Sequence, residues 1–174
     1  MTVAIPTLET ERLIMRAWTA ADAAPFAVMC ADAELMRYVG GVMGRTDAWQ
    51  RMAVYAGHWH LRGFGPWALQ DKSSGQLAGY CGVYDPDGWP EREINWGLAR
   101  PFHGKGLIQE AATRARAYAY DTLGFKTITS CIDMDNAPSK AVAARLGATL
   151  DRTVEFRGRP YGVFRHIPPG GPAH

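Results

Sequence analysis

The sequence is poor in three things that would each narrow its role: paired cysteines, blocks of charge and long apolar runs. Its three cysteines, Cys30, Cys81 and Cys131, are odd in number and far apart. They match neither a disulfide framework nor a metal-ligand pattern, so a cytoplasmic protein with no metal centre is expected. The formal net charge is +2 without a run of like charges, too balanced for a general nucleic-acid binder. No apolar stretch approaches membrane-spanning length. The start, MTVAIPTLETERL, lacks the basic and apolar regions of a secretory leader. Two nucleotide signatures are missing as well. The Gly104–Lys105 pair is followed by Gly106 and Leu107, where a triphosphate-binding loop needs a magnesium-holding Ser or Thr. No G-x-G-x-x-G follows the first strand, as a dinucleotide fold requires.

What is present reads as one α/β domain, expected over residues 1–167, with PPGGPAH at 168–174 as a flexible tail. RLIMRAW (12–18) alternates like a strand. Helical patterns follow through AAPFAVMCAD and DAWQRMAVYAGHWHLR, separated by the glycine-rich YVGGVMG. GPWALQD, QLAGYCGVY and REINWGLA read as three strands divided by KSSG and DPDGWP. A helix ends near Gly124, TITSCID is a β-branched strand, and APSKAVAARLGA is a short helix with Pro138 at its start and Gly147 at its stop. TVEF and YGVFRH close the chain as a hairpin around RGRP. The order predicts a mixed sheet of about seven strands with four helices, and the lack of strict βα alternation excludes a doubly wound fold.

HGKGLIQEAATRARAYAY, from His103, sets two glycines around a lysine before an alanine-rich helix. Gly104 and Gly106 permit unusual dihedrals and close backbone approach. The amides at the helix start, with the positive end of its dipole, suit a phosphate. Lys105 and Arg100 add positive charge nearby. The plainer alternative is a tight strand-to-helix turn with a surface lysine. Further along the helix Leu107, Ala111, Ala115 and Ala119 recur at i+4, the mark of close packing on a sheet. Glu110, in the opening turns, suits the dipole but would repel a phosphate, and is placed outside the site.

LARPFHGKG, Leu98 to Gly106, resembles the acetyl-CoA loop of the GNAT N-acetyltransferases, whose pattern is Q/R-x-x-G-x-G/A. Here His103 stands for the usual Gln or Arg, and Ile108 for the usual small residue. Three further segments resemble the ribosomal-protein (RimJ/RimL-like) branch: Thr10, Arg12, Leu13 and Arg16 followed by Asp22; the strand EINWGL from Glu93; and DNAPSKAVAARLGA with Asn136 and Ser139. The resemblance spans about residues 8 to 166. It implies direct acetyl transfer from acetyl-CoA to an amine, with the fourth and fifth strands splayed around the cofactor.

On that resemblance Glu93 removes the amine's proton, directly or through water, and a backbone amide near Leu98 receives the carbonyl oxygen. Gly97 would then serve a bulge or a close approach. Ordinary alternation alone would leave Glu91, Glu93 and Asn95 on a solvent face opposite Ile94, Trp96 and Leu98. The family's usual tyrosine acid is replaced by Ala143, which leaves Ser139 to hydrogen-bond the departing sulfur. Cofactor contacts are expected at Trp96, Leu98, Ala99, Arg100, His103, Gly104, Lys105, Gly106, Leu107, Ile108, Asn136 and Ser139. Asn136 also reads simply as a helix cap.

For the acceptor, Tyr38, His60 and Trp67 belong to an aromatic-rich region able to line a groove, although core packing is the ordinary use of Trp59 and Trp67. His58 and His60, two apart on a helix, face different ways and make no metal pair. The acceptor is a peptide N-terminus or a small amine, and a homodimer stays open. Two other functions compete: a non-catalytic CoA-binding sensor or assembly module, favoured by the missing tyrosine, and a ribosome or RNA accessory, which the balanced charge disfavours.

Overall fold

In the computed structural model, which describes residues 3–168 and 170, alternating apolar residues build one eight-stranded sheet. The strands are β1 (Leu8–Glu9), β2 (Leu13–Arg16), β3 (Pro66–Asp71), β4 (Leu77–Tyr84), β5 (Glu93–Leu98), β6 (Thr129–Asp133), β7 (Thr149–Phe156) and β8 (Arg159–Arg165). They lie in the order β1-β2-β3-β4-β5-β6-β8-β7. All pairs are antiparallel except β5 with β6. The eighth strand is the two-residue β1, too short to show a period in sequence.

Among the described residues there are five α-helices: α1 (Ala23–Cys30), α2 (Ala33–Met36), α3 (Arg45–Arg62), α4 (Leu107–Ala117) and α5 (Ala137–Arg145). The helix beyond the four expected is α2, a single turn started by Asp32, whose carboxylate accepts from the Glu34 and Leu35 amides. α4 widens into a π-helical turn at Tyr118–Thr122.

Alternation along β4 sorts the two faces. Cys81 and Val83 join Leu13, Leu69 and Ile94 beneath α4, whose Leu107, Ala111, Ala115 and Ala119 are all buried. The alanines let the helix come close, so this side is the dense one. Tyr80 points the other way, into Phe26, Met29, Met52 and Tyr55 of α1 and α3. A third cluster, Ile132, Ala143 and Ala148, seats α5.

The N-terminal Thr-x-Arg-Leu-x-x-Arg run has a mechanical job. Arg16 makes a two-pronged ion pair with buried Asp22 and also reaches Gln70. Glu110 takes the Arg12 amide and guanidinium and the Thr10 hydroxyl, while Arg12 Nη1 donates to the Lys105 carbonyl at 2.8 Å. The β2 entry is thereby latched to the loop before α4.

Candidate active site

β5 and β6 share a single register pair, Glu93 with Thr129, and then part. Their union is clamped there. The Ser130 hydroxyl donates to the Ile94 carbonyl at 2.8 Å and lies 2.9 Å from His166 Nε2. Since the serine proton is spent on Ile94, Nε2 carries the donor proton. Burial holds His166 well below its usual pKa, at about 3, so it stays neutral.

Past this clamp the backbone of β5 has edges to offer. The Ala99 N–H donates to the Ala78 carbonyl at 2.8 Å, which fixes the phase: odd-numbered β5 residues bond toward β4. By the two-residue alternation, the N–H groups of Trp96 and Leu98 face the gap. The Leu98 carbonyl also faces away from β4 and accepts from His103 Nε2 at 2.9 Å, which folds the loop back on the strand end. Gly97 makes no bulge; a Cβ there would stand 2.6 Å from Tyr80 Cε1 and 2.9 Å from Met29 Cε. The glycine serves close approach.

Gly104 and Gly106 have φ of +72° and +75°. That left-handed backbone turns the chain into α4 with its first amides outward. A Cβ on Gly104 would meet nothing within 4 Å, and one on Gly106 only Arg12 Nη2 at 3.7 Å. The loop face is therefore open. Leu107 and Ile108 bury their side chains and offer only backbone. Lys105 is exposed, with Nζ 5.7 Å from the centre of the Phe102 ring.

Below the gap lies a cavity of about 200 Å³ with Glu93 in its wall. Glu93 is only 4% exposed, which corrects the solvent-face alternative. Its Oε2 accepts from the Cys131 N–H at 2.7 Å, and its Oε1 from the Trp89 indole at 3.0 Å. Burial pushes its carboxyl up to about 8, against the pull of those two donors and the Arg157 guanidinium. Such a group takes up and releases a proton near neutrality. Asn95, two residues on, shares this face; its Oδ1 is buried without a partner. Cys131 borders the cavity too, but burial holds its thiol at about 12 and inert.

Trp96, Tyr38, Asn136 and Ser139 meet at this cavity. Asn136 caps α5, its Oδ1 accepting from the Ser139 N–H at 3.2 Å. Ala143 is fully buried in the α5 cluster. Other expected contacts lie elsewhere or are taken. Trp67 is wholly buried, edge-on to Trp59 and Tyr118, with Nε1 donating to the Pro6 carbonyl. Its strand position turns it under α4, away from the cavity. His60 is exposed on α3 and does not line the cavity. His58 is buried between the Phe64 carbonyl and the Asp85 amide. The Ala99 N–H belongs to the β4 ladder, and the Arg100 guanidinium is held by Asp32 and Glu34. Arg12 and Trp89, whose contacts shape the site, were not expected there. Arg12 appeared only as part of a resemblance, although its distance from Glu110 along the chain masks their pairing. Trp89 sits in a loop that strand patterns pass over.

A splayed parallel pair, a glycine turn into a helix and a buried carboxyl beneath the splay make up the candidate site. The sequence model of the acetyltransferase (GNAT) domain matches residues 12–149. A crystal structure of an acetyltransferase from Agrobacterium tumefaciens str. C58 is 30% identical, superposes with a TM-score of 0.87, and covers 97% of this chain and 98% of its own. The protein YkkB of Bacillus subtilis (strain 168) is 27% identical over 162 residues, 90% of this chain and 93% of its own. Ribosomal-protein-S5-alanine acetyltransferase from Vibrio fischeri, at 16% identity and a TM-score of 0.75, covers 94% of this chain and 97% of its own and shares the fold. The chain belongs to the GNAT acetyltransferase family. It is an acetyltransferase, and its family generally uses acetyl-CoA.

Proposed function

We propose that this protein moves an acetyl group from acetyl-CoA directly to a primary amine admitted to the cavity at Glu93. The observation that carries the reading is the buried Glu93 carboxyl, tuned to about 8, beside the point where β5 and β6 part. Acetyl-CoA would supply a thioester, activated for attack by an amine.

The residues present fit that cofactor. The open turn at Gly104 and Gly106, with the amides of Leu107 and Ile108 behind it, would hold a diphosphate, and Lys105 adds charge. The Trp96 and Leu98 backbone groups facing the gap would pair with an extended amide-bearing arm, as a missing strand would. The Leu98 N–H is the donor for a carbonyl oxygen lodged there. His103 acts chiefly by pinning the loop to Leu98, since its Nε2 is occupied.

On the acceptor side, Glu93 accepts the amine's proton. The amine must be neutral to attack, and its ordinary pKa near 8 or above leaves it mostly protonated at neutral pH. A carboxyl at about 8 is matched to that exchange. The Ser139 hydroxyl, at the start of α5 and in the cavity wall, would hydrogen-bond the departing sulfur in the absence of a tyrosine at position 143. Both an N-terminal α-amine, the acceptor class of the ribosomal-protein branch, and a small amine are compatible with this chemistry.

The deciding experiment is thiol release from acetyl-CoA with a panel of peptide N-termini, lysine peptides, amino acids, polyamines and amino sugars. Release stimulated by at least one acceptor, with the acetylated amine found by mass spectrometry, supports the reading. Binding of coenzyme A without turnover of any acceptor would overturn it in favour of a sensor.

A further inference from the structure

The cavity at Glu93 carries two guanidinium groups, and among the described residues no carboxylate forms an ion pair with either. Arg51 reaches it from α3, and Arg157 from the turn between β7 and β8. A Cβ placed on Gly40 would lie 2.9 Å from Arg51 Nη2 and 3.8 Å from Arg157 Nη1, so one point in space is within 3.8 Å of both. Arg51 spends one nitrogen on the Val39 carbonyl. Arg157 stacks 5.0 Å from the Trp89 ring centre and 5.1 Å from that of Phe156. Among the described residues neither forms an ion pair.

The cavity's own carboxylates are spoken for. Asp133 is paired with Arg159, and the Glu93 oxygens face Cys131 and Trp89. Nearby arginines behave differently: Arg152 and Arg165 share Glu91 and Asp151. Two like charges on one side of a cavity, with no ion-pair partner, repel each other, and an anion between them removes that penalty.

The backbone supports the same reading. Arg157 has φ +54° and Gly158 +72°, the two central residues of a tight hairpin turn. Asn, Asp or Gly are the residues that accept this conformation readily at the first position. An arginine held there, stacked on the ring whose N–H grips Glu93, joins the anion site to the proton-accepting group through one side chain. Asn95 completes the arrangement, its unpartnered Oδ1 offering an acceptor for the second N–H of an amine at Glu93.

We propose that the acceptor is a small amine carrying its own carboxylate, a free amino acid or a close relative. Its carboxylate lies between Arg51 and Arg157, and its amine at Glu93 and Asn95. Tyr55, Tyr84 and Trp89 supply an aromatic wall for an apolar side chain. A peptide N-terminus presents the amine but replaces the carboxylate with an amide. The inference rests on the acetyl-transfer reading above and narrows its acceptor.

The test compares amino acids with their carboxamides, with the corresponding decarboxylated amines, and with peptides beginning in the same residue. Acetyl-CoA is held saturating and initial rates are followed by thiol release. The preferred free acid should exceed its carboxamide in kcat/KM by about tenfold or more. The carboxamide's amine is the less basic of the two, which works against this preference and makes the comparison stringent. In Arg157→Gln and in Arg51→Gln the ratio of acid to carboxamide should fall toward one. Carboxamides, bare amines or peptides (acidic ones included) that match or exceed the acids would overturn the inference and leave acetyl transfer standing. Failure of every acceptor would remove both. The comparison within the wild-type protein needs no variant to fold.

Discussion

Replacing Glu93 with glutamine separates two effects of the residue, because its charge is unfavourable to the fold and, in the proposed reaction, needed for catalysis. In the native chain the carboxyl sits at about 8, against 4.5 for an ordinary glutamate. Between those values the unfolded chain has released its proton while the folded chain keeps it. The folded state then binds more protons, so stability falls as pH rises through this window. Fully developed, above pH 8, the loss is about 4–5 kcal/mol. The substituted amide carries no such charge, but its nitrogen cannot accept, so either the Cys131 N–H or the Trp89 indole loses its partner. That defect costs about 1–3 kcal/mol at every pH. The glutamine variant should therefore be the less stable protein at pH 5 and the more stable at pH 9, with a crossing between, as read by denaturant unfolding. Activity should run the other way. At pH 7 about one-tenth of Glu93 is ionised, so kcat/KM should climb with pH and level off above about 8. Glu93→Gln should lower it about 100- to 10,000-fold. The groups facing this carboxyl, Tyr80, Tyr84, Tyr161, Cys131 and Arg157, leave burial as the main cause of its shift. An acceptor with a less basic amine tells the two titrations apart: the limb stays near 8 if it belongs to Glu93 and moves if it belongs to the amine. A flat profile from pH 6 to 9, or a variant within about threefold of wild type, would refute the assignment.

Four further outcomes are expected. Gly106→Ala has room for its methyl group but not the dihedral, a strain of about 1–2 kcal/mol; calorimetry should show severalfold weaker coenzyme A binding, and unchanged affinity would discount the turn. Arg12→Ala removes the latch on the Lys105 carbonyl and Glu110, so coenzyme A affinity should fall although Arg12 need not touch the ligand; an effect on acceptor KM alone would contradict this. Ser139→Ala should lower kcat with little change in melting temperature, since its hydroxyl makes no hydrogen bond among the described residues. Asn136→Ala should lose about 1 kcal/mol of stability through its lost cap. Equal melting losses in the two would assign Ser139 to structure.

Much of the architecture was legible because its signals are local. Alternation along REINWGLA, the glycine pair before α4, and the Asn136–Pro138 start of α5 each depend on a few neighbouring residues. β1 and α2 are too short to show a period, so the sheet gains a strand and the fold a helix. The expected tail at 168–174 lies largely outside the described residues. The site was less legible because its decisive properties are set by contacts across the chain. Glu93 could not be told from a solvent-facing residue until Trp89 and Cys131 closed over it. Arg100 is absorbed by Asp32 and Glu34, 68 and 66 positions away. Trp67 is a core residue because of the face its strand presents, which composition does not reveal.

The hairpin that carries Arg157 has a practical consequence. In the proposed reading, diphosphate recognition rides on the start of α4 and the thioester arm on β5, whereas the guanidinium pair comes from α3 and from the β7–β8 turn, the latter at the far edge of the sheet. If Arg157 reads the acceptor's carboxylate, exchanging those few turn residues would shift the preferred amine, while the parts proposed to hold coenzyme A, on β5 and α4, keep their own contacts. Diversification by grafting is therefore open to it, in the laboratory as in descent.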